Sequence, residues 1–67
     1  MYIVIELQNN NGTVSNIVTA YNTQAQAEEK YHEILKYAAV TTLTSHSAVI
    51  LNDRGEMIRS ESYPLLP

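Results

Sequence analysis

NTQAQAEEKYHEILKYAAV, residues 22 to 40, decides the architecture of this chain. Asn22-Thr23 stops whatever precedes it, and Thr23 with Gln26 forms a capping-box pattern: a hydroxyl and an amide placed to satisfy orphan N–H groups of a first helical turn. From Gln24 to Val40 there is no glycine or proline, and Ala, Glu, Gln, Lys and Leu dominate. The spacing predicts a helix over 23–40, a rod of roughly 25 Å. At 100° per residue, Ala27, Tyr31, Ile34, Leu35 and Ala38 fall in one arc of about 100°, so one face is apolar. A helix with a single apolar face needs a sheet to cover.

The strands lie on either side. Residues 2–8 alternate, with Ile3, Ile5 and Leu7 on one side and Tyr2, Val4, Glu6 and Gln8 on the other. Both sides are apolar near the start, which suits a central strand. Asn9-Asn10-Asn11-Gly12 tolerates positive φ and predicts a reversal, after which residues 13–21 return as an edge strand. TTLTS at 41–45 reads as a loop, and residues 46–52 as a third strand. Asp53-Arg54-Gly55 reads as a three-residue hairpin loop, and residues 56–63 as the fourth strand. The expected unit is one α+β domain, ββαββ: a hairpin over 1–21, the helix, a hairpin over 46–63 and a tail at 64–67. Its four-stranded antiparallel sheet has the order 2-1-3-4, with the helix packed on one face.

Composition narrows the function classes. Sixty-seven residues bury only ~60% of the surface of the unfolded chain, so the core is marginal. With no cysteine, disulfides and thiolate metal sites are excluded, which leaves self-association as the remedy. The net charge of −3 and four dispersed cations, Lys30, Lys36, Arg54 and Arg59, offer no basic face for phosphate, so no nucleic-acid partner is expected. MYIVIELQ lacks a basic leader region, and no window approaches the ~20 apolar residues that span a bilayer. A soluble, cytoplasmic protein without a membrane partner is expected. Asn11-Gly12-Thr13 matches a glycosylation sequon but reads as turn chemistry.

EEKYHEILK, residues 28–36, holds the residues most suggestive of chemistry. Glu29 and His32 have the Glu-x-x-His spacing of carboxylate-bridged metal sites, which work when both ligands project into a four-helix bundle. Here one helix carries them, outside the apolar arc. The zinc-protease pattern His-Glu-x-x-His fails because Lys36 stands at the second histidine position. These charges read better as helix electrostatics, including a Glu33–Lys36 pair. A metal or small-molecule site on the outer helix face, using Glu28, Glu29 and His32, is the alternative reading. His46 lies between Ser45 and Ser47, but adjacent strand residues face opposite ways and cannot share a proton. No pair of titratable groups is expected in the interior, no cofactor motif is present, and no catalytic residue is assigned. The chain reads as non-enzymatic.

The apolar strands point to a binding role instead. With the loop at Gly55, Leu51 is expected opposite Met57 and Ile50 opposite Ile58. Ala48, Ile50 and Ile58 then share one face, Val49, Leu51 and Met57 the other, and one helix covers only one. The uncovered set, joined by Tyr2 and Val4, forms the expected interface, with Tyr37 added as an interface-prone aromatic outside the helix stripe. The expected partners are a second copy, through the sheet face or an edge strand, and a further protein. The stretches IVTAYNTQAQAEEKYHEILKYAAV and HSAVILNDRGEMIRSESY resemble a group of short uncharacterised Firmicutes proteins found among prophage and mobile-element genes. That resemblance implies a phage-linked, non-enzymatic role and carries over no site residues.

Overall fold

The computed structural model describes residues 1–64; the end of the YPLLP tail lies outside them. Strand β1 (Tyr2–Asn10) turns into β2 (Thr13–Tyr21), helix α1 (Gln24–Ala38) follows, and β3 (Ser45–Asn52) turns into β4 (Met57–Tyr63). All neighbours in the sheet are antiparallel and the order is β2-β1-β3-β4, as the sequence implies.

Local chemistry accounts for each turn. Asn11 and Gly12 both have positive φ, 54° and 93°, and Asn10 pairs with Thr13. This is a two-residue loop of type I′ geometry, whose twist matches that of the strands. The Asn9 side chain accepts from Gly12 N–H at 2.8 Å and secures it. At the second hairpin Asn52 organises the loop. Its carbonyl accepts from Gly55 N–H, and its Oδ1 accepts from the N–H groups of Arg54 and Glu56. Gly55 at φ 80° supplies the left-handed residue.

Thr23 caps α1, its Oγ1 accepting from Gln26 N–H at 3.2 Å. Only this half of the expected capping box forms among the described residues. The helix stops at Ala38 rather than Val40, because tighter bonds from Val40 N–H to Tyr37 O and Thr41 N–H to Ala38 O close the last turn. Its buried residues are Ala27, Tyr31, Ile34, Leu35 and Ala38, the predicted stripe.

That stripe rests on the centre of the sheet, where the core is Val4, Ala48 and Ile50. The register places Val4 opposite Ile50, so both face the helix. Tyr2, Tyr21 and Tyr63 pack around this core as a half-buried rim. One pairing differs from expectation. A bulge at Ile58 brings Arg59, not Ile58, opposite Ile50, while Leu51 still faces Met57. The charged Arg59 and Glu61 thereby turn toward the helix side. We expect Ile50→Ala to cost ~2–5 kcal/mol in urea unfolding. Ile58→Ala, at a partly exposed bulge, should cost less, about 1 kcal/mol.

Candidate interaction surface

The face of the sheet turned away from α1 follows from the register. It presents Ile3, Ile5 and Leu7 on β1, Val14, Val18 and Ala20 on β2, Val49 and Leu51 on β3, and Met57 on β4. Its remaining positions are Asn9, Asn16 and the serines 45, 47, 60 and 62. No strand residue on this face is charged. Glu6, Arg59 and Glu61 all lie on the helix side. The apolar side chains at the sheet centre are half-buried by one another, whereas Val18 and Met57 are 58% and 64% exposed.

The six interface residues expected from sequence therefore part company. Val49, Leu51 and Met57 do share the open face. Val4 does not: it is 1% exposed, beneath the helix. Tyr2 shares its side and packs against the core. The physical reason is the β1–β3 register, which pairs Val4 with Ile50 and Ile5 with Val49; a slip of one residue would exchange the two sets. Tyr37 is exposed on the outer helix surface, with Lys36 Nζ 5.9 Å from its ring, away from the other five.

On the helix, Glu28 is not an outward carboxylate. It reaches across to β4, where Arg59 Nε forms an ion pair with one of its oxygens at 3.1 Å, and His32 Nε2 lies 3.6 Å from the other. Glu29 and His32 are exposed. Among the described residues no group of three potential metal ligands forms. Glu33 pairs with Lys30 at 3.3 Å rather than with Lys36. This exposed pair contributes a few tenths of a kcal/mol.

Sequence reasoning missed an interior pair of titratable groups. His46 is buried, and its Nε2 lies 2.7 Å from Glu6 Oε2. Gln8 Nε2 donates to the same oxygen at 3.0 Å. Burial alone raises the Glu6 carboxyl. The hydrogen bonds from His46 and Gln8, with the fields of His46 and Lys30, outweigh it and hold the pKa below its ordinary value. An ionised carboxylate only accepts, so Nε2 of His46 carries the proton. His46 Nδ1 is buried without a hydrogen-bond partner among the described residues. Alternation puts Glu6 in phase with Val4 and His46 in phase with Ile50, but only the β1–β3 register shows that these two phases share the helix side.

This pair ties β1 to β3 on the helix side of the sheet. Among the described residues no helix is long and apolar enough to cross a membrane. No protein-family model matches the chain, and neither a curated protein nor a solved structure is detectably similar to it.

Because the Glu6 pKa is lowered on folding, its stabilising contribution is fully present above the unfolded carboxylate value. It is lost as pH falls through the folded one. Thermal unfolding between pH 7 and pH 3 should show a declining acid limb, shallower in Glu6→Gln. Equal slopes for the two proteins would remove Glu6 as the cause.

Proposed function

We propose that this chain is a small non-enzymatic protein-interaction module that works as a homodimer, burying the open face of its sheet against a second copy. The observation that supports this reading is the absence of charge on an uncovered apolar face. Two chains of net charge −3 repel at long range. They can meet closely only where no like charges are brought together and no charge is buried unpaired. The open face is such a surface, and it is self-complementary because every residue on it is apolar, amide or hydroxyl.

The energetics permit the contact. Full burial of a Val, Leu, Ile or Met stabilises by ~1.5–3 kcal/mol. The central residues expose no more than about a third of their surface, so at most ~0.5–1 kcal/mol remains for each of them. Summed over Ile3, Ile5, Leu7, Val18, Val49, Leu51 and Met57 of both protomers, the gain is of the same order as the ~4–15 kcal/mol cost of association. The resemblance to short prophage-linked Firmicutes proteins is in keeping with the same non-enzymatic reading. A further protein partner would then meet the dimer through its helices or edges.

Dilution from high to low micromolar concentration tests this. Methyl resonances of Ile3, Ile5, Val49 and Leu51 should shift together, those of the helix stripe should not, and Val49→Lys should abolish the effect. A wild-type chain that sediments as a monomer throughout, with unmoved open-face methyls, overturns the proposal.

A further inference from the structure

The two edges of the sheet are built differently. β4 is blunted by the bulge at Ile58, by Arg59 and Glu61, and by Pro64 just beyond it. Charges, bulges and prolines are the usual protections of an edge strand. β2 has none of them. Thr13–Tyr21 contains no charged residue and no proline, and it pairs with β1 without a register shift along its whole length.

The hairpin dictates which backbone groups of β2 are free. A two-residue loop makes its flanking residues, Asn10 and Thr13, a hydrogen-bonded pair. Bonded and non-bonded pairs alternate in an antiparallel ladder, so Ser15, Ile17, Thr19 and Tyr21 also bond to β1. The N–H and C=O groups of Val14, Asn16, Val18 and Ala20 therefore point outward from the sheet. Side chains on both sides of the same strand are exposed: Val14 at 61% on the open face, and Ile17 at 56% on the helix face.

We propose that β2 pairs antiparallel with β2 of a second copy, joining two sheets edge to edge about a two-fold axis at Ile17. Only the outward-pointing residues of each strand can bond across this junction. The register that overlaps Thr13–Tyr21 completely is centred on Ile17, and it satisfies that condition. Val14 then faces the second copy's Ala20, Asn16 faces the second copy's Val18, and both cross-pairs can exchange two hydrogen bonds. Ile17 faces its own counterpart in a non-bonded pair, the type in which side chains approach most closely. The occupant is a second copy because the strand's outward backbone groups match themselves in this register and the strand brings no charge to the seam. The edge axis is normal to the sheet, whereas a face-to-face axis lies parallel to it. The two contacts are therefore separate, although both rest on the chain associating with itself.

Asn16→Pro tests the edge contact, its side chain lying at the border of the open face. It removes an outward N–H and no bond to β1, the position at which an edge strand accepts proline. Ile17→Lys is the second variant, placing two ammonium groups together at the axis without touching the open face. Circular dichroism checks the fold of each, and sedimentation velocity at high micromolar concentration reads the assembly. Wild type should contain species larger than a dimer. Asn16→Pro and Ile17→Lys should stop at the dimer, as should Val49→Lys, and Asn16→Pro combined with Val49→Lys should be monomeric. Folded edge variants with an unchanged wild-type distribution, or a monomeric Val49→Lys, overturn the edge contact and leave the face-to-face homodimer standing. Monomeric edge variants with an unaffected Val49→Lys overturn the face and support the edge, while a monomeric wild type overturns both.

Discussion

A single helix lies across a sheet of four strands, and it can shelter only one side. That constraint governs the rest of this molecule. On the helix side the chain concentrates its specificity: a core of Val4, Ala48 and Ile50 under the helix stripe, a rim of tyrosines, the Glu6–His46 clamp and the Arg59–Glu28 bridge. On the other side it places only uncharged residues. The asymmetry is thermodynamic as well as geometric. A charge stranded between apolar neighbours is expensive, whereas one held by an opposite partner under the helix is tolerated.

The Glu6–His46 pair shows how a small domain uses a buried polar contact. A core this limited leaves the pairing of β1 with β3 weakly specified by hydrophobicity, since both faces of both strands are apolar. A slipped register would move Glu6 to the open face and leave His46 buried without its carboxylate. The 2.7 Å contact therefore penalises the wrong pairing more than it stabilises the right one. The lowered pKa of Glu6 is the electrostatic trace of that arrangement.

Secondary structure was legible because its signals are local. Asn11-Gly12, Thr23, Gly55 and the period of the helix stripe each act within a few residues, and the elements lie where those residues put them. The misplacements have specific causes. Ile58 was expected under the helix because hairpin counting assumes a regular ladder, and a bulge breaks it. Val4 and Tyr2 were expected on the open face because alternation separates the two sides of a strand without saying which is covered. Glu28 was expected in solvent because its place on the helix wheel does not reveal that Arg59 stands within reach on β4.

The amino-acid sequence by itself determined the elements, their order, the buried face of the helix and the fact that one apolar sheet face must lack a covering layer. Those follow from residue chemistry read over distances of a few positions. Only the tertiary structure decided which side of β1 joins Val49, Leu51 and Met57 on that face, which edge is unprotected, and that a glutamate and a histidine forty positions apart meet in the interior. The covered face and the buried pair depend on the register between β1 and β3, strands that lie far apart along the chain, and the unprotected edge on the strand order and the bulge in β4. Periodicity within either strand is the same in both registers, so no local pattern can select between them.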